Sequence, residues 1–148
     1  QYFEGKYILI FPFCSPRHNK KKWPYYNELI NLIKKYYGPK YNVAIVPGPK
    51  EIEESKKFEV DSILNKGKSL NISELISIIS GASYVVGNDS APAHVCSHLN
   101  IKGLVLFGSH TSPEKVSIGS GNFQSIQVNN LVKLNVRTVF DKIKINLN

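Results

Sequence analysis

The sequence predicts an α/β domain, with a mostly parallel sheet covered by helices on both faces. Three observations predict it. Short apolar, β-rich runs alternate with amphipathic helical stretches along the whole chain, which is the pattern of βαβ units with right-handed crossovers. Runs such as Tyr7-Ile-Leu-Ile-Phe11 and Leu104-Val-Leu-Phe107 are apolar without alternation, as in strands buried on both faces. Polar or Gly/Pro turns close these runs, and in such sheets ligands gather at the carboxyl ends of the strands.

Taken in order, residues 7–11 read as the first strand. A polar, basic loop over 15–22 follows, and Trp23-Pro24 opens a helix that carries Leu29, Ile30, Leu32, Ile33, Tyr36 and Tyr37 at three-to-four spacing. Gly38-Pro39 stops it. Residues 43–46 predict a second strand ended by Pro47-Gly-Pro49, 51–58 an exposed helix, and 62–64 a short strand. Asn71-Ile-Ser-Glu74 has the form of a capping box at the start of a helix that ends near Gly81. The next strand is 84–86, broken at Gly87, and the next helix 91–99. Residues 104–107 give another buried strand, 109–122 a loop, 124–128 an edge strand, and 131–145 a closing helix.

The 148 residues suit one domain with a substantial core, and 42% hydrophobic with 20% charged residues is a globular mix. A net charge of +8 permits an anionic partner without selecting one, because the lysines are spread along the chain. Cys14 and Cys96 stand far apart with no CxxC partner, which argues against a disulfide or zinc framework and fits a reducing compartment. No apolar run approaches the roughly 18 residues of a membrane span, and no signal-peptide layout appears. The chain begins without Met and contains none, which reads as a piece of something longer.

The most informative stretch is Tyr84-Val-Val-Gly-Asn-Asp-Ser-Ala-Pro-Ala-His94. A strand feeds a helix through a polar corner, and Pro92 sits just inside the helix, where its missing N–H costs nothing. Unpaired N–H groups and the positive end of the helix dipole at such a start favour an anion. Two readings stand side by side: a plain β–α connection capped by Asp89 or Ser90, and an anion site. His94 and His98 are four residues apart, but no third metal ligand is evident and no Glu follows His94, so no metal is expected. Cys96 between them reads as packing, and Trp23 as packing at its helix start.

Together the turns resemble glycosyltransferase family nine, the ADP-heptose:lipopolysaccharide heptosyltransferases, and within it the C-terminal, donor-binding half. The family's strand, Gly-x-Asp-Ser-Gly-Pro-x-His and helix reads here as Val86-Gly-Asn-Asp-Ser-Ala-Pro-Ala-His94, and its strand ending in Phe-Gly as Leu104-Val-Leu-Phe-Gly108. Its Pro-Gly-Ala-Ser turn and Lys-x-Trp-Pro are echoed by Pro12-Phe-Cys-Ser15 and Lys21-Lys-Trp-Pro24, and its Gly-x-x-Glu by Gly48-Pro-Lys-Glu51. The resemblance spans about residues 6–113. Phe13 and Ala91 stand where the family usually has Gly, and His110 where a Thr is expected, with Thr111 next.

The resemblance implies a GT-B enzyme: two Rossmann-like domains with the active site in the cleft between them. Residues 1–148 then form the single nucleotide-sugar-binding domain, and the N-terminal acceptor domain, which supplies the catalytic base, is not in this chain. The implied reaction is metal-independent, inverting transfer from an ADP-heptose-like nucleotide sugar, a substrate rather than a cofactor, to lipopolysaccharide core or a related glycan. It places the intact enzyme in the cytoplasm, at the inner face of the membrane and in peripheral association with it.

The donor-binding residues carried over are Ser15, Lys21, Glu51, Asp89, Ser90, Ala91, His94 and Thr111. Lys21 is either a diphosphate contact or a solvated lysine, and Glu51 either an acceptor for ribose hydroxyls or a first-turn glutamate that complements its helix dipole. Asp89 would repel a diphosphate, so it caps the corner or accepts from sugar hydroxyls while the Ser90 and Ala91 amides face phosphate. His94 hydrogen-bonds the corner or senses phosphate, and Thr111 bonds phosphate or caps a turn. The alternative function is a non-catalytic nucleotide- or polyphosphate-binding module. Nucleic-acid binding through residues 17–22 is not expected, since no recognition motif supports it.

Overall fold

The computed structural model describes residues 5–13, 22–108 and 122–147. Within them, strands β1 (Tyr7–Phe11), β2 (Asn42–Ile45), β3 (Asp61–Ser62), β4 (Tyr84–Asn88), β5 (Gly103–Phe107) and β6 (Phe123–Gln127) form one sheet in the order β3-β2-β1-β4-β5-β6. Every strand pair is parallel. The helices are α1 (Tyr26–Tyr37), α2 (Ile52–Ser55), α3 (Ile72–Ser80), α4 (Ala91–His98) and α5 (Val136–Leu147). This is the Rossmann-like, doubly wound order, and the direction of winding reverses between β1 and β4.

Strand alternation sorts the core into two layers. Ile8, Ile10, Tyr84, Val86, Leu104 and Leu106 point to one face, where Leu29, Ile30 and Ile33 of α1 and Val139, Phe140 and Ile143 of α5 cover them. Leu9, Phe11, Val85, Val105 and Phe107 point to the other, under Ile78 and Ile79 of α3 and Ala93 and Cys96 of α4. Each such buried aliphatic or aromatic side chain contributes about 1.5–3 kcal/mol relative to leaving it exposed. Both faces are therefore anchored, and the strand ends between them are held in place.

The predicted elements recur with informative differences. The capping box is present in full: the Asn71 side chain accepts from the Glu74 amide at 2.8 Å, and Glu74 accepts from the Asn71 amide at 2.9 Å. Trp23 is a packing residue, as expected, and its Nε1 donates to the Leu134 carbonyl at 2.9 Å. The expected break at Gly87 is not there. β4 continues through Gly87 and Asn88, because Gly87 pairs with Phe11 and Val105 across the sheet. The exposed helix expected over 51–58 is a single turn; the buried Ser55 turns its hydroxyl onto the Ile52 carbonyl, a local bond that competes with helix. The closing helix is split, with a 3-10 turn at Leu131–Lys133 and the Asn135 side chain accepting from Arg137 N at the start of α5.

Candidate functional site

The carboxyl ends of β1, β2 and β4 face a cavity of about 370 Å3 beside the switch point. Four walls meet there. Phe11 and Phe13 come from the end of β1, and Ser90 and Pro92 from the start of α4. The turn after β2 brings Gly48 and Glu51, and the segment entering α3 brings Leu70, Ile72 and Leu75. The lining is mostly apolar, with a few polar groups placed at its edges, as in many small-molecule sites.

The Glu51 wall is built locally. The Gly48 amide donates to Glu51 Oε1 at 2.8 Å, while the Glu51 amide donates back to the Gly48 carbonyl at 3.0 Å. That pair fixes one carboxylate oxygen against the turn. Burial, with Glu54 one turn on, holds the Glu51 carboxyl above its ordinary pKa, against the opposing pull of the Gly48 hydrogen bond. Glu51 immediately precedes α2 and also lines the cavity.

The α4 wall is built from far across the chain. Ser90 is the residue that caps α4, but its hydroxyl donates to the Asn88 carbonyl at 3.3 Å and makes no side-chain cap bond. The cap therefore leaves first-turn amides of α4 for another acceptor. Asp89 is buried beneath the corner, with Oδ1 3.9 Å from His94 Nε2 one turn into the helix. Neither Asp89 nor His94 lines the cavity, whereas Ser90 and Glu51 do. Ala91 is the first residue of α4. Ser15, Lys21 and Thr111 lie outside the described residues.

Sequence reasoning missed three features of this site. Phe13 lines the cavity and meets Phe58 edge-on at 5.7 Å, a contact between two segments 45 positions apart that no local pattern announces. The apolar entrance to α3 also lines it, although the capping box at Asn71 had marked its position. Asn88 is fully buried behind the corner, donating to the Pro12 carbonyl at 2.9 Å and accepting from the Tyr26 hydroxyl at 2.8 Å.

Among the described residues, no cluster of three or more His, Cys, Asp or Glu could hold a metal ion. Cys96 is a free, buried thiol on α4, pushed up to about 12 by burial, and so is an inert packing group. Among the described residues, no helix is long and apolar enough to cross a membrane.

Comparison with known proteins decides the family. The model of glycosyltransferase family 9 (heptosyltransferase) matches residues 1–141. The chain belongs to that family. Among solved structures, this family 9 chain is similar to the E. coli heptosyltransferase WaaC with ADP, with a TM-score of 0.79 and 23% identity over 96% of this chain and 44% of that one. It is also similar to E. coli ADP-heptose lps heptosyltransferase II, with a TM-score of 0.76 and 20% identity over 97% of this chain and 47% of that one. The Methanocaldococcus jannaschii UDP-GlcNAc 2-epimerase in complex with UDP-GlcNAc and UDP has a TM-score of 0.66 at 15% identity, over 97% of this chain and 39% of that one. At these identities the likeness is one of fold. The family 9 chain thus spans less than half the length of these structures. No curated protein sequence gives a significant match.

Proposed function

We propose that this family 9 chain is the donor-binding domain of a metal-independent, inverting glycosyltransferase that takes an ADP-heptose-like nucleotide sugar. The acceptor is lipopolysaccharide core or a related glycan, held by a second domain that also supplies the base. The observation that carries this reading is the cavity beside the switch point, which joins the Glu51 carboxylate to the start of α4. WaaC structures with ADP and with ADP-2-deoxy-2-fluoro heptose share the fold and support a nucleotide-sugar donor.

The parts divide the ligand by chemistry. Leu70, Ile72 and Leu75 offer apolar surface to a base. Glu51 keeps one oxygen on Gly48 and has the other to accept from ribose hydroxyls. The first amides of α4, with Lys21 from the loop after β1, meet the diphosphate. Negative charge grows on that diphosphate as its bond to the sugar breaks, so cationic and N–H donors fixed there lower the barrier without a metal. Asp89, buried beside His94, holds the corner rather than the phosphate. The intact enzyme would work at the inner face of the cytoplasmic membrane.

Isothermal calorimetry with ADP and with UDP tests the reading. Binding of at least one is expected, and Lys21→Ala should weaken it by about tenfold to a hundredfold, the value of a hydrogen bond to a charged group. A folded chain that binds neither nucleotide refutes the reading.

A further inference from the structure

Asn88 is a fully buried amide at the last position of β4, and the donor reading above assigns it no role. Its partners fix its orientation. The Pro12 carbonyl can only accept, so the 2.9 Å contact must be made by Asn88 Nδ2; Oδ1 then faces Tyr26, whose hydroxyl must donate across 2.8 Å. Tyr26 is itself only 1% exposed, at the first position of α1. The group ties together β1, β4 and α1 at the one place in the sheet where the winding reverses.

Its position explains what it does for the cavity. The paired register of β1 with β4 ends at Phe11 and Gly87. Pro12 has no N–H with which to continue the ladder, and the Asn88 side chain takes over its carbonyl instead. Phe11 and Phe13, on either side of Pro12, form one wall of the cavity, while Ser90 and Pro92, two and four residues past Asn88, form the facing one. The amide therefore sits behind the gap between these walls. By contrast, the Gly48–Glu51 turn and the Asn71–Glu74 capping box are closed by bonds over three residues, none of which involves Asn88 or Tyr26.

We propose that Asn88, oriented by the Tyr26 hydroxyl, is a positioning residue that sets the spacing between the end of β1 and the start of α4, and with it the fit of the diphosphate but not of the nucleoside. This rests on the donor-site reading. Deleting the Tyr26 hydroxyl leaves a buried carbonyl oxygen without its partner and frees the amide to turn. Backbone donors at a helix start act only at hydrogen-bonding distance, so a small opening of the gap is felt at phosphate.

The test compares a nucleoside diphosphate with its nucleoside: ADP with adenosine, or UDP with uridine, whichever diphosphate the unaltered chain binds. Tyr26→Phe and Asn88→Ala are titrated with both, and thermal melting checks that each is folded. In Tyr26→Phe, which removes a single atom, diphosphate affinity should fall about tenfold, the worth of one hydrogen bond, while nucleoside affinity stays within about twofold. Equal losses for the two ligands, or no loss for either, overturn the inference and leave the donor reading standing. A wild-type chain that binds no nucleoside diphosphate overturns both.

Discussion

A methyl group placed on Gly87, under the α4 corner, would lie 3.0 Å from Phe11 Cβ and 3.1 Å from the Phe11 carbonyl oxygen. One placed on Gly48, in the turn after β2, would lie 3.1 Å from Glu51 Oε1. The distances match, but the neighbours do not. Phe11 is a strand residue paired with Gly87 itself, 3% exposed, and cannot retreat without moving β1. Glu51 Oε1 is the tip of a flexible side chain and can swing away. One side of the cavity is thus part of the sheet, fixed by contacts between distant segments; the other is a turn that closes on itself. Displacing the first costs stability, whereas the second can shift its ligand-facing carboxylate at little such cost, so the two sides should respond differently to mutation.

Gly87→Ala is the largest way to break that contrast. Crowding a packed strand pair costs about 1–3 kcal/mol, and in a domain of this size each kcal/mol lowers Tm by roughly 2–4 °C. Thermal melting should therefore show a clear drop, with β1 and β4 pushed apart next to the corner. A melting temperature unchanged from wild type would mean that the β4 end is as yielding as the turn after β2, and the contrast would fail.

The same contrast explains what was legible in the sequence. The capping box from Asn71 to Glu74 announces itself by spacing, and the structure closes it. Gly48 and Glu51 are marked instead by a Pro-Gly-Pro turn and a family resemblance, and the bond that joins them is a finding of the structure. The parallel sheet was legible because two-sided burial writes continuous apolar runs such as 7–11 and 104–107. The long-range ties were not. Asn88 looked like part of a polar corner, because nothing near it in sequence reveals that its partners are Pro12 and Tyr26, 76 and 62 residues away. The apparent break at Gly87 failed for the same reason: in a strand, glycine marks either an end or a close approach, and here Phe11 makes it the latter.

Gly48→Ala probes the yielding side. Gly48 does not have the positive φ that reserves Gly5, Gly38 and Gly67 for glycine, so alanine fits its backbone. The gain from a stiffer unfolded chain, about 0.4–1 kcal/mol, should roughly offset the push on Glu51. Melting is expected within about 2 °C of wild type. Nucleotide affinity, measured by calorimetry, should nevertheless fall about fivefold, because the carboxylate is displaced from the oxygen position that Gly48 fixes. A large loss of stability with unchanged affinity would reverse the assignment of the two sides.

Glu51→Gln should produce the smallest change in stability, and its sign follows from linkage. Burial raises the folded-state pKa of Glu51 above its ordinary value of 4.5, so the folded chain holds that proton more tightly than the unfolded chain does. The resulting contribution to stability is fully present below the unfolded value and is lost as pH rises through the folded one. At neutral pH the ionised carboxylate is therefore a mild liability, and the glutamine variant should melt slightly higher, by no more than about 2 °C because the group remains half in water. The difference should close as pH falls toward 4.5, where wild type regains its proton and the variant has none to regain. Melting curves from pH 4 to pH 8 measure this. A variant that melts lower at neutral pH would mean that the ionised Gly48–Glu51 hydrogen bond outweighs desolvation, and that the turn draws its stability from the same charge it presents to the ligand.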